Sequence, residues 1–439
     1  MIALENKILP IISEHKTGEP IGITSICSAN AYVIKAAIIN AKINDQVLVI
    51  ESTSNQVDQY GGYTGITPSE FRKYVYNIAS RYKFPYENLI LGGDHLGPNS
   101  WQNENLSSAL LKAKELISAY LSAGYTKIHL DASMKCLDDG DPSIPLNSEI
   151  IAERTAILCR QAENTFKNFT MGTDLPVYII GSDVPPPGGA KNQDSDFKIT
   201  LPEEVETIIY LTKKAFKRYD IENVWERVVG VVVQPGVEFG DSTVHNYDKG
   251  KARQLSNYIS SQENIIYEAH STDYQTKFAL RQMVKDHFAI LKVGPWLTFA
   301  FREAVFGLSY IERELLSQKR GIQLSNIIDV VDKQMIQNPK YYNKYYSTDN
   351  IEQSLQRKFS YSDRIRYYWT DKNVSESVQR LISNLSQNNI PDTLISQFFP
   401  SEYDAIIQRK ISNHPEELIN HKILSVLENY NYAVTGGAN

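Results

Sequence analysis

Cysteine is scarce: the 439 residues contain three, Cys27, Cys136 and Cys159, with no CxxC pair among them. An odd, widely spaced set excludes a disulfide framework and a thiolate zinc site, and points to reduced thiols in a cytoplasm. No apolar run approaches the roughly 20 residues that span a bilayer. Met1 to Lys7 lacks the apolar core and cleavage site of a leader. The expectation is a cytoplasmic protein with no membrane association. Basic charge is not in excess: 45 Lys and Arg stand against 51 Asp and Glu, a net charge of −6, with no long basic cluster. That balance argues against nucleic acid as the main partner. The helical metal motif HExxH is missing as well.

What is present is rhythm. With 42% hydrophobic and 22% charged residues the chain is ordinary globular protein, and its length suits a barrel with an appendage. Short apolar runs alternate with helical segments. The strands begin near Ile21, Gln46, Leu89, Lys127, Pro176, Val228, Ile265 and Phe288. Thr67-Pro68-Ser69-Glu70 reads as a helix start, and Gly124 as a helix stop. Eight strand–helix units over about 300 residues predict a (β/α)8 barrel, an α/β fold. The barrel is expected over residues 1–317, and a mainly helical extension over 318–439. The 27 tyrosines suit a carbohydrate-facing or oligomeric surface, although codon bias would explain them equally well. A homo-oligomer is expected.

Nearly every predicted strand ends in a polar group: Glu51, Asp94, His95, Asp131, Asp183, Gln234, His270 and Lys292. In such barrels the C-terminal strand ends carry the chemistry, so this convergence reads as an active site. His95 and His270, nearly opposite across the mouth, are candidate ligands for a divalent metal. Asp183 is the first choice for an oxygen ligand, with Gln234, Glu238 and Glu51 as alternatives. His129 shares the parity of Asp131 and reads as a core histidine satisfied by a neighbouring strand. His15, His245, His287, His414 and His421 read as surface residues. Lys292 is either a Schiff-base nucleophile or, with better support, the partner of a carboxylate or anion. Ser271 and Thr272, the backbone near Gly294 and the following helix start suit phosphate. Arg364 and Arg366, on one face of an extended segment, could clamp it or pair with an acid such as Asp363.

Several ordered blocks resemble one known family. They are Glu51-Ser-Thr-Ser-Asn-Gln56, Gly61-Gly-Tyr-Thr-Gly65, Gly92-Gly-Asp-His-Leu-Gly-Pro-Asn99, His129-Leu-Asp-Ala-Ser133, Gln234-Pro-Gly-Val-Glu-Phe239, Glu268-Ala-His-Ser-Thr-Asp-Tyr274, Lys292-Val-Gly-Pro295 and Tyr361-Ser-Asp-Arg-Ile-Arg-Tyr-Tyr-Trp369. The family is the KbaZ/GatZ-type subunit of class II D-tagatose-1,6-bisphosphate aldolase. The chain departs from it at Ser182-Asp183, where Thr-Glu is commoner, which shortens the reach of that acid. The resemblance implies a metal-dependent barrel with a divalent ion (Zn, Mg, Ni, Co or Mn) held by His95, His270 and Asp183. Asp94 is then the leading base, and Glu51 or Asp131 a second. Asn55, Gln234, Ser271, Asp273, Lys292, Arg364 and Arg366 are the expected substrate contacts. Two activities follow: C4 epimerisation of tagatose 6-phosphate and fructose 6-phosphate, or of the free ketoses, by retro-aldol chemistry, or a non-catalytic role stabilising a class II aldolase catalytic subunit. A plain sugar-phosphate binding protein is a third reading.

Overall fold

The computed structural model of the chain describes residues 6–141, 144–168, 174–181 and 198–437. Eight parallel strands close into a barrel: β1 (Ile23–Cys27), β2 (Leu48–Thr53), β3 (Leu89–Leu96), β4 (Lys127–Leu130), β5 (Val177–Ile180), β6 (Val228–Val233), β7 (Ile266–Ala269) and β8 (Ile290–Val293). The barrel closes where β1 pairs with β8, Ser25 lying opposite Lys292. A helix follows each strand, from Ala31–Ile43 after β1 to Pro295–Leu316 after β8. The predicted start at Thr67 is a full capping box with Glu70, and Gly124 takes the left-handed conformation (φ +84°). The loop Val184–Gly189 and the acid Asp183 lie outside the described residues.

The barrel interior changes character along its axis. At the N-terminal end Val49, Ile90, Val177, Ile179 and Ile290 form an apolar floor, and the helix Ile8–Lys16 plugs it with Ile8 and Ile12. Asn6 fastens the plug by donating to the carbonyls of Thr126 and Leu175, each at 3.1 Å. His15 was expected at the surface. It is buried instead, because the plug presses it beneath the barrel, where its ring meets the Ile21 carbonyl at 2.6 Å and His287 at 2.9 Å. Burial lowers its pKa to about 4.

Beyond Leu316 the chain is mainly helical, as expected. Its last helix, Pro415–Val434, returns to the barrel wall. There Tyr430 donates to the Thr272 carbonyl at 3.0 Å, Asn431 and Asn40 exchange amide hydrogen bonds, and Gly22 donates to Val434. No helix among the described residues is long and apolar enough to cross a membrane.

One glycine fixes how β3 meets β4. At Gly97 any Cβ would overlap the Asp131 carbonyl oxygen, just where the Asp131 amide donates to Leu96 at 3.0 Å. Gly97→Ala is therefore expected to destabilise the fold by about 3 kcal/mol. An unchanged urea midpoint would show that the strand ends can separate freely.

Candidate active site

The site begins with a kink in β3. Regular alternation would send Asp94 and His95 to opposite faces of the sheet. The pairing of β3 with β4 shifts between Gly93 and Leu96, and His95 adopts φ +49°, a conformation rare for a side chain of its size. The irregularity leaves both adjacent side chains buried in the mouth. Gly92 makes the room: a Cβ there would overlap the side chain of Glu51, its register partner on β2.

Below the rim lies a cage of buried ions. Lys127 pairs with Glu51 and, at 2.6 Å, with Glu268. Lys292 pairs with Asp94 and, at 2.7 Å, with Glu51. Burial alone would raise all three carboxyls. Lys127 and Lys292 overturn that for Glu51 and Glu268, and His95 with Lys292 does so for Asp94. All three are held below their ordinary range, Asp94 and Glu268 well below it. Both lysines are pushed up against the effect of burial, Lys127 chiefly by Glu268 and Lys292 chiefly by Asp94.

Three imidazoles crowd the same space, with His95 5.1 Å from His270 and 4.9 Å from His129 between ring centroids. Asp131 holds the His95 ring through Nδ1 at 2.7 Å and accepts from Ser133 on its other side. Burial opposes protonation of His95, but Asp94 and Asp131 prevail and raise its pKa. His270 goes the other way: burial and the charge of Lys292 lower it to about 3, leaving a neutral ring 2.8 Å from Glu268. His129 takes the backbone N–H of His95 at Nδ1, which assigns its proton to Nε2 and a hydrogen bond to the Gly181 carbonyl at 2.9 Å. It is satisfied from β5's end, as the parity argument expected.

Donor atoms of Asp94, His129, Glu268 and His270 lie within 4.8 Å of one another. This mixed oxygen and imidazole set, all buried, suits zinc and similar divalent ions. His270 is the expected ligand that this group retains. His95 lies at its edge, turned toward Asp131. A second cluster, Cys27, Glu51 and Asp94, satisfies the same distance criterion. The Lys292 ammonium bonds both of its carboxylates, just as Lys292 bonds Asp94 and Lys127 bonds Glu268 in the first cluster.

The other expected residues are distributed around the rim. Asp273 accepts from the backbone N–H groups of Gly294 and Trp296, at 3.1 and 2.8 Å. The helix start that looked open to phosphate is thus already met by a carboxylate, whose pKa burial raises to about 6. Thr272 is likewise committed, donating to the Lys292 carbonyl at 2.6 Å. Ser271 adopts φ +52° near Glu238, which accepts from the Phe239 backbone N–H and which burial pushes up to about 7. Gln234 accepts from Gly236. The Arg364 segment is not extended. Asp363 turns left-handed (φ +46°) and starts a short 3-10 helix, Arg364–Tyr368, which sends the two arginines apart. Arg366 reaches a cavity of about 530 Å³ beside Cys27, whose thiol donates to Glu51. Arg364 stacks on Tyr345 and lines a different cavity, together with Asn55. The acid Asp363 pairs with Arg302 instead.

Lys127 and Glu268 escaped the sequence reading of the site. Parity carried the signal: Lys127, His129 and Asp131 alternate along β4, as do Glu268 and His270 from β7. A lysine at the start of a strand, however, looks like an exposed end.

Fold and rim together define a (β/α)8-barrel protein with a buried, metal-capable mouth. The chain belongs to the GatZ/KbaZ-like family, described as D-tagatose-1,6-bisphosphate aldolase subunit GatZ/KbaZ-like, which it matches over residues 8–435. It is similar to a solved structure described as a probable tagatose 6 phosphate kinase from Sinorhizobium meliloti 1021, with 42% identity over 94% of this chain and 100% of that one, and a TM-score of 0.85. More distant matches include the YdjI aldolase from Escherichia coli K12 (10% identity, 88% and 100% covered, TM-score 0.42). Another is a fructose-bisphosphate aldolase from Campylobacter jejuni (13% identity, 87% and 94% covered, TM-score 0.44).

Two measurements test the cage. Lys127→Met leaves buried carboxylates without their ammonium partner and should cost about 3–5 kcal/mol in urea unfolding. An unperturbed variant would mean that Glu51 and Glu268 are not charged. The pH profile carries a sign for each histidine. His270, lowered from 6.5 to about 3, binds a proton only when unfolded across that window, so stability falls as the pH drops through it. His95, raised, contributes fully below 6.5 and loses its contribution at higher pH. The expected slope from His270 is up to about 1.4 kcal/mol per pH unit, and His270→Gln should remove it. A slope indifferent to that substitution would contradict a neutral buried ring.

Proposed function

We propose that this chain is the barrel subunit of a heteromeric class II D-tagatose-1,6-bisphosphate aldolase: it holds phosphorylated ketose and stabilises a partner chain that carries the catalysis. The observation behind this is the state of Asp94, the expected general base. Lys292 and His95 keep its carboxyl well below the ordinary range. With the Lys292 ammonium bonded to it, that carboxylate can take a hydroxyl proton only after the ion pair opens. The family's description as an aldolase subunit agrees with the assignment.

The clustered donors favour a second reading, C4 epimerisation of D-tagatose 6-phosphate and D-fructose 6-phosphate by this chain alone. Glu268 and His270, with His95, would hold the divalent ion, leaving Asp94 as the base, and the ion when bound would polarise the ketose carbonyl at C2. In this reading the Lys292 ammonium withdraws from Asp94, and Asp94 takes the C4 hydroxyl proton. The C3–C4 bond then breaks to an enediolate and an aldehyde. Turning the aldehyde face and re-forming the bond inverts C4, and Asp94 returns the proton. Asp131 keeps the His95 ring oriented throughout.

One assay separates the two readings. The purified chain is incubated with D-fructose 6-phosphate and with tagatose mono- and bisphosphate, with Zn²⁺, Mg²⁺ or Ni²⁺ and then with chelator, and products are followed by NMR. The expected result is no turnover alone, and bisphosphate cleavage when a class II aldolase catalytic subunit is added. A chelator-sensitive C4 epimer made by the chain alone, and lost in Asp94→Asn and His270→Ala, would overturn the subunit reading in favour of the epimerase.

A further inference from the structure

A third cavity, about 330 Å³, lies at the N-terminal end of the barrel, away from the mouth. It forms where the starts of β1 and β2 meet the plug, the helix Ala31–Ile43 and the last helix, Pro415–Val434. Alternation along β1 builds one wall. Ile23 packs into the apolar floor, so Thr24 and Ile26 point outward, toward the helices. Ile11, Ala41, Leu48, Leu427 and Val434 add further apolar surface. Among the described residues, no charged side chain lines the cavity.

Its polar groups are nearly all engaged. Asn40 and Asn431 exchange amide hydrogen bonds at 3.1 and 2.7 Å, and the Thr435 hydroxyl donates to the Asn431 carbonyl at 2.8 Å. The Tyr430 hydroxyl is spent on Thr272, and Gln46 is partly exposed to solvent. Thr24 is different: its hydroxyl oxygen is buried with no hydrogen-bond partner among the described residues.

We infer that this cavity binds a small neutral molecule with an apolar body and one hydroxyl, an alcohol or a phenol, that pairs with Thr24. An apolar cavity of about 150 Å³ takes up benzene, so this one holds a substituted ring or a short branched chain. A buried hydroxyl left unpaired is destabilising, and a single hydrogen bond from the ligand relieves it. Water fits poorly, because a buried water needs about two to four polar partners. An ion fits worse, since the lining offers nothing to balance its charge. The occupant touches the barrel and the last helix at once and so holds them together. No residue of the ion cage takes part, and the inference stands apart from the proposed activity.

The test compares p-cresol with p-xylene, which carries a methyl group in place of the hydroxyl, and with the anion p-toluate. Binding to the full chain is read by ligand-observed NMR and by the rise of the urea midpoint with ligand concentration. Thr24→Val keeps the side-chain shape and removes the unpaired hydroxyl, so the variant should fold normally. Ala41→Met fills the cavity; should it fail to fold, the Thr24→Val comparison decides alone. Both neutral ligands are expected to bind the wild type, and p-toluate at least about tenfold more weakly than p-cresol. Thr24→Val should weaken p-cresol about fivefold and leave p-xylene unchanged, and folded Ala41→Met should bind neither. The inference is overturned by p-cresol affinity untouched in Thr24→Val, by an equal loss for p-xylene, or by p-toluate binding as well as p-cresol. Retained binding in folded Ala41→Met, or no binding of either neutral ligand to the wild type, overturns it too.

Discussion

Three carboxylates and two ammonium groups share the upper half of the barrel, and their mutual neutralisation is the condition under which the rest can fold. Moving each such ion out of water costs several kcal/mol, recovered only when partners are close and well placed. The wall is adapted accordingly. Gly92 yields space to Glu51, the kink at Asp94–His95 brings in a third acid beside Lys292, and Lys127 reaches from β4 to join carboxylates on β2 and β7. Removing any member leaves its partners buried and charged. The apolar floor contributes hydrophobic stabilisation; the cage requires a single arrangement of side chains above it.

That division explains what could be read from the sequence. Apolar runs of four to eight residues separated by amphipathic helices suit a parallel barrel, so all eight strands were legible, and with them the positions of Glu51, Asp94, His95, Asp131 and His270 near their ends. Pairing was not. Nothing in Lys127-Ile-His-Leu distinguishes an inward lysine from an exposed one, since the answer depends on Glu51 and Glu268, 76 residues before and 141 after it. Nor does Asp94-His95 announce a break in alternation. The kink is a property of β3 meeting β4. For Asp273 the residue was legible and its partner was not: a carboxylate near a helix start can receive a ligand or cap the helix, and here it caps.

The extension shows how a single backbone conformation can change the meaning of a motif. Arg-Ile-Arg in an extended strand would point two guanidinium groups the same way. Asp363 in a left-handed turn, secured by Thr298 and Arg302, winds the next five residues into a 3-10 helix. One guanidinium then serves a cavity next to the barrel mouth and the other a cavity outside it, with a tyrosine wall between. The tyrosine-rich composition therefore has an architectural use: rings with polar tips can border two wet cavities while packing against each other.

The plug beneath the barrel carries a consequence for traffic. With Ile8 and Ile12 seated in the floor and Asn6 tied to two strands, the barrel is a cup, not a tube. Whatever occupies the mouth must enter, turn round and leave on one side, and displaced water must pass it going the other way. That side is the one the extension overhangs. Among the described residues, the cavity beside Cys27 is shared with Arg366 and Trp369 of the extension, so the extension borders the path by which the cup fills and empties.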